Sequence, residues 1–155
     1  MSVPTTLAPR IQLPARQRGV PLLAVAVARL LAKSKPATLR SVLKLFRRGA
    51  PPATPGEALA AREAIVAVSL RCAGQNCLQR SIAAALLCRI RGSWPTWCTG
   101  VRSHPFAAHA WIESEGSPIG EPHPAGYYRA ILTVPPSTGG RSLDAYPPAP
   151  SAIRQ

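Results

Sequence analysis

The chain has 155 residues, 46% of them hydrophobic, and carries a net charge of +13 at pH 7. That length and apolar content suit one domain with a real core. The four cysteines at 72, 77, 88 and 98 show no CxxC spacing and no paired histidines, which argues against a structural zinc site, and disulfides would require an oxidising compartment. The basic excess is mostly arginine, 16 residues against three lysines, so any acidic role must fall to Glu57, Glu63, Glu113, Glu115, Glu121 or Asp144. Such a charge attracts polyanions of several kinds: an acidic protein or peptide, a nucleic acid, or a membrane surface.

The 18 prolines gather at the ends and in linkers. The segments 1–19 and 144–155 are therefore read as flexible tails around one domain, 20–143. "VPLLAVAVARLLA" (20–32) follows Arg10, Arg16 and Arg18 and imitates a signal peptide. Arg29 interrupts it, no clear cleavage site follows, and it is too short to span a bilayer. A helix packed on the domain of a cytoplasmic protein is the expectation, with peripheral membrane contact as the minor alternative. A second helix is expected over 36–48, with Leu39, Val42, Leu43 and Phe46 at helical spacing and Arg40, Lys44, Arg47 and Arg48 as its polar face. After the Pro-rich loop 49–55, Thr54-Pro55-Gly56-Glu57 reads as a capping box with proline at the first helical position. That third helix should run to Gly74. A fourth should run from Cys77 to about Ile90 and close at Arg91-Gly92. Beyond Gly92, residues 97–103, 109–114, 117–121 and 127–134 read as short strands. Helices first and antiparallel strands afterwards predict an α+β domain.

Cys77 stands at a helix start, where unpaired backbone N–H groups and the helix dipole favour thiolate over thiol. The same N–H groups, helped by Gln75, would hold an oxyanion. Cys72, Cys88 and Cys98 have no such setting and are read as buried small hydrophobes. A cysteine nucleophile needs a base and a group that orients it. His104 and His123 each precede a proline, whereas His109 opens "HAWIESEGSPIGE". With Glu115 at the tip of a hairpin, residue 109 faces 121, and opposed side chains have Cβ atoms ~4.5–5.5 Å apart. Glu121 would then lie beside His109. Glu113, on the same strand face as His109 and Trp111, competes for that role, and a slip of one residue would break the pairing.

"CLQRSIAAALLCRIRG", "GVRSHPFAAHAWIESEG" and the following "GE" resemble the transglutaminase-like leader peptidases of lasso-peptide biosynthesis. Their pattern is a Cys-Leu-x-Arg-Ser helix start, a Gly-Val-Arg…Pro-Phe…Ala-His-Ala-Trp strand, and an acidic residue after the next turn. The resemblance covers about residues 57–122 and maps the family's triad onto Cys77, His109 and Glu121; some members carry aspartate at the last position. It implies a papain- or transglutaminase-like α+β fold, with 20–56 as a helical N-terminal part and 57–143 as the catalytic core. It implies a cysteine endopeptidase, without metal or cofactor, that cleaves the leader from a lasso precursor peptide. Gln75 and Trp111 are the expected oxyanion and substrate contacts. The residues before Cys77 read as helices of the catalytic domain, so leader recognition would come from a separate winged-helix-type protein. A separate ATP-dependent macrolactam synthetase would capture the freed amine, since this chain has no phosphate-binding loop. A basic nucleic-acid or membrane-binding module is the rival class. Only 5% of residues are aromatic and no stacking platform is evident, so no nucleic acid is expected. A transglutaminase-like acyltransferase is the nearer rival.

Overall fold

The computed structural model describes residues 11–137. The expected C-terminal tail and residues 1–10 of the N-terminal one lie outside the described residues. Within the segment expected as N-terminal tail, Ala15–Gln17 forms a 3-10 turn, Arg18 Nε donates to the Leu13 carbonyl at 2.8 Å, and Leu13 packs against the core. Local order therefore begins before residue 20.

Five helices follow: α1 (Gly19–Leu31), α2 (Pro36–Phe46), α3 (Pro55–Val68), α4 (Leu70–Ala73) and α5 (Cys77–Ile90). Four strands come after them: β1 (Thr96–Ser103), β2 (Phe106–Ser114), β3 (Ser117–Pro118) and β4 (Arg129–Val134). The sheet is antiparallel with order β3-β2-β1-β4. This is the α+β architecture expected. Among the described residues, no helix is long and apolar enough to cross a membrane. The inner face of α1 is buried through Ala24, Val25 and Ala28.

The capping box at α3 is formed on both sides: Glu57 N–H donates to Thr54 Oγ1 at 3.3 Å, and Thr54 N–H donates to Glu57 Oε2 at 2.8 Å. The single helix expected from there to Gly74 is broken instead. Ser69 is extended (φ −136°, ψ 111°), and its hydroxyl accepts the Cys72 N–H at 3.3 Å. A serine offers the backbone a local partner, here enough to start a second short helix. That break redirects the chain before it reaches Cys77.

The buried helix α5 is the axis of the core. It buries Ile82 through Cys88 without interruption, against α1 and α3 on one side and the sheet on the other. Trp94 and Trp97 are fully buried, and each finds a partner for its indole N–H: the Val134 carbonyl at 3.0 Å and Ser81 Oγ at 3.1 Å. The first ties the segment leading into β1 to β4, and the second ties β1 to α5.

Gly100 is the position where β1 passes between His109 on β2 and Ala130 on β4. A Cβ there would run into the Arg129 carbonyl and the Trp111 indole. Gly100→Ala should therefore destabilise by about 1–3 kcal/mol, lowering the thermal midpoint by roughly 3–10 °C. An unchanged midpoint in thermal unfolding would show that the strands do not approach so closely.

Candidate active site

Cys77 is the first residue of α5, preceded by Asn76 with φ −86° and ψ 60°. Those angles are those of an inverse γ-turn, and the Cys77 N–H donates to the Gln75 carbonyl across it at 3.0 Å. The thiol is half-buried and reaches β2. Strand β3 stops at Pro118, so the outer edge of β2 is open beside Ala110, and the Ala110 N–H faces the sulfur. The imidazole of His109 stands close enough to the thiol for each to shift the other's pKa.

His109 Nε2 lies 2.8 Å from Glu121 Oε2. With Nε2 engaged there, Nδ1 is the ring nitrogen left for Cys77. Tyr128 stacks on the imidazole at 4.9 Å between centroids, and the Trp111 ring runs parallel to it at 6.0 Å. The ring is thus held in plane by neighbours and along its axis by the carboxylate.

The expected partnership of His109 with Glu121 is present, but through a different register. Ser114 pairs with Ser117 and Glu113 with Pro118. Glu115 and Gly116 both have positive φ, 52° and 77°, as a two-residue type I′ hairpin requires. The ladder is therefore one residue out from a hairpin with Glu115 at its tip. Contact survives because the pairing with β2 ends at Ile119, whose N–H donates to the Ile112 carbonyl at 2.9 Å, and the chain bends at Gly120 (φ 64°). A Cβ on Gly120 would also meet the Arg62 side chain at 2.9 Å. The bend delivers Glu121 from outside the sheet.

Glu113, the competing carboxylate, accepts the Trp111 indole N–H at 2.7 Å and does not reach His109. Trp111 itself is 5% exposed. It stacks alongside the imidazole and, with His109, Glu121 and Tyr128, lines a small cleft. Gln75 is exposed, and its carbonyl occupies the Cys77 amide that was expected to stabilise an oxyanion. That amide becomes available only if the γ-turn opens.

Two arginines complete the site: Arg80, which the sequence offered only as the arginine of the Cys-Leu-x-Arg-Ser stretch without a role, and Arg62, which it did not single out. Arg62 Nε and Arg80 Nη2 each lie 3.6 Å from Glu121 Oε1, and all three side chains are about nine-tenths buried. Their signals were faint: Arg62 interrupts an apolar run in α3, and Arg80 stands three residues after Cys77 in an apolar helix. Among the described residues, no group of three or more His, Cys, Asp or Glu could hold a metal.

The electrostatics follow from these contacts. Burial pushes the Cys77 thiol up, but the His109 bond, the Ala110 amide and the charges of His109 and Arg80 outweigh it and lower its pKa. Burial pushes His109 down, but its bonds to Cys77 and Glu121 and their charges raise it to about 9. Burial likewise raises Glu121, and His109, Arg80 and Arg62 reverse this and lower it. The other thiols go the opposite way: desolvation raises Cys88 to about 12 and lifts Cys98 further. Cys77 is the thiol prepared to ionise.

Residues 21–133 match the family model described as the Transglutaminase-like superfamily. No curated protein and no solved structure matches the chain.

The thiol and imidazole titrate as a pair, which fixes a sign. The raised His109 pKa gives stability that is complete below about pH 6.5 and lost as pH rises through about 9. The lowered Cys77 pKa gives stability present above about pH 9.0 and lost as pH falls through its folded value. Between these limits the slopes oppose, because the folded chain keeps a proton on His109 that the unfolded chain has lost and gives up one from Cys77 that the unfolded chain still holds. Thermal midpoints should therefore fall less steeply with pH between about 6.5 and 9 in the native chain than in Cys77→Ala, where only the His109 contribution remains. Parallel declines in the two would mean that the groups do not share the proton.

Proposed function

The chain belongs to the transglutaminase-like superfamily, in which cysteine peptidase and acyl-transfer chemistry recur, and from that premise we propose that it is a cysteine endopeptidase removing the leader of a lasso precursor peptide. One observation carries the enzymatic part: a half-buried, ionisable thiol, an imidazole and a buried carboxylate stand in line at the start of a buried helix. The specific substrate rests on the Cys-Leu-x-Arg-Ser and Ala-His-Ala-Trp stretches at Cys77 and His109, which resemble those of the leader peptidases.

In this reading Cys77 Sγ attacks the carbonyl preceding the core peptide. His109 Nδ1 has taken the thiol proton and returns it to the leaving amine as the C–N bond breaks. Glu121 fixes the tautomer and stabilises the imidazolium. The oxyanion forms beside Gln75, and its binding by the Cys77 amide requires the γ-turn to open. Water then attacks the thioester and releases the leader as a carboxylic acid. The freed core amine goes to a separate ATP-dependent macrolactam synthetase, and a separate winged-helix-type protein presents the leader. The site of action is the cytoplasm. Attack by an amine instead of water would give acyl transfer at the same triad; added amine and product mass separate the two.

The test is cleavage of a lasso precursor peptide followed by mass spectrometry. Cys77→Ala and His109→Ala should each reduce kcat by several orders of magnitude, and the double variant should be little worse, because the residues act as a unit. Glu121→Gln should be severe, and Glu113→Gln milder. Cleavage by Cys77→Ala would end the proposal, and a reversed carboxylate order would move the orienting role to Glu113. Steering by basic charge is screened over ~8 Å at physiological ionic strength, so salt should slow cleavage at low substrate far more than at saturation. Charge reversal at Arg40, Lys44 and Arg48 should act the same way. The presenting protein should accelerate cleavage, and equal rates without it would show that this chain recognises the leader alone.

A further inference from the structure

Arg80 makes contacts that a surface cation of α5 would not. It is 8% exposed and lies one turn after Cys77. Its Nη1 donates to the carbonyls of Cys72, at 3.1 Å, and Gly74, at 3.2 Å. Its Nη2 faces Glu121 Oε1 at 3.6 Å. One planar guanidinium therefore joins two segments that no strand or helix connects. The first, 72–76, delivers the thiol. The second, 119–121, delivers the carboxylate.

The side chains of Cys72 and Ala73 anchor the segment 72–76 in the core, but the carbonyls of Cys72 and Gly74 turn to Arg80. Helix α4 is four residues long and ends at Gly74, so its last carbonyls lack intrahelical partners. Arg80 supplies donors to two carbonyls in that stretch, and Asn76 Nδ2 ties the turn to the Arg71 carbonyl at 3.2 Å. At the other end, the carboxylate divides its oxygens. Oε2 faces His109, and Oε1 faces Arg80 from α5 and Arg62 from α3. Arg62 offers only charge there, since Gly120 leaves room for it but no carbonyl is bridged by it in that contact.

We propose that Arg80 is a positioning residue that locks the nucleophile turn to Glu121, so that His109 is presented to the Cys77 thiol. The proposal rests on the Cys77–His109–Glu121 reading of the site. Lysine could replace the charge but not the fork, because an ammonium is a point donor and cannot span two carbonyls and a carboxylate with fixed geometry.

Alkylation of Cys77 by iodoacetamide, followed by peptide mass spectrometry across pH, tests this without any substrate. The groups facing the thiol and its base are His109 and Tyr128 from the sheet side, Glu121 from the loop, Arg62 from α3 and Arg80 from α5. In the native chain Cys77 should react well below the pH at which it reacts after denaturation, with Cys72, Cys88 and Cys98 silent. Arg80→Met should slow Cys77 alkylation at pH 7 on the order of 10–100-fold, as loss of supporting contacts does elsewhere, and move its profile to higher pH. Arg80→Lys should recover only part of the rate. Arg62→Met, which removes charge without the bridge, should be milder than Arg80→Met.

A native profile in Arg80→Met overturns the proposal. Should that variant expose all four thiols, Arg80→Lys decides: full recovery overturns the bridging role, and partial recovery with the other thiols silent supports it. A native Cys77 no more reactive than the denatured thiol would instead undo the Cys–His reading itself. With a cleavable precursor, Arg80→Lys should lower kcat and leave KM nearly unchanged.

Discussion

The interior of this protein is organised around one buried carboxylate. Glu121 has 8% of its side chain exposed, and removing such a charge from water costs several kcal/mol unless partners replace the solvent. Those partners arrive from three directions: His109 from β2, Arg62 from α3 and Arg80 from α5. Each partner is itself largely buried and needs the carboxylate as much as the carboxylate needs it. The arrangement therefore fixes the position of two helices and a strand relative to one loop. It also leaves Oε2 with one orientation, toward the imidazole. A site that must hold a histidine in one tautomer gains that constraint from the same contacts that keep the fold's charges paired.

Local signals were legible in the sequence wherever a few adjacent residues decided the outcome. The Thr54–Glu57 capping box, the start of α5 at Cys77 and the four strands after Gly92 all belong to this class. Ser69 shows the limit: nothing in "AVSLRC" distinguishes a serine within a helix from one that ends it, because the choice depends on where α4 must point. The hairpin is instructive in another way. A turn centred on Glu115 led to the right neighbour for His109, whereas the observed turn is two residues and the ladder is offset by one. The contact persists because Glu121 lies past the ladder, where Gly120 rather than strand register sets its direction. No role for Arg62 or Arg80 could be read, for a stronger reason, even though Arg80 belongs to the Cys-Leu-x-Arg-Ser stretch. Their partner lies about forty to sixty residues away, and an arginine in an apolar helix reads the same whether it faces water or a buried acid.

The four thiols show how position overrides residue type. Cys72, Cys88 and Cys98 are buried, and for Cys88 and Cys98 desolvation holds the proton on sulfur. Cys77 is desolvated too. What differs is that its surroundings supply donors and positive charge: an imidazole, the Ala110 amide at the open edge of β2, and Arg80. The short β3 is part of this chemistry, since a longer strand would pair with Ala110 and close the edge to the sulfur. A truncated strand thus leaves room for the Cys77 thiol.

The composition takes on a different meaning in this light. A chain with 19 basic and six acidic residues cannot pair most of its arginines with carboxylates. It uses backbone carbonyls instead. Arg89 donates to the Phe46 and Arg48 carbonyls at the end of α2, at 2.7 and 3.4 Å, and Arg47 donates to the Pro135 carbonyl at 2.7 Å. Arg18 and Arg102 close their own turns in the same manner, and Arg80 does so beside the thiol. Carbonyls at element ends need donors, and a guanidinium has five. Each such bond satisfies the backbone without cancelling a charge, so the positive field persists through the molecule. Near Cys77 that field favours thiolate over thiol. Part of the basic excess is therefore the consequence of how the elements are tied at their ends, and affinity for a polyanion is not needed to explain it.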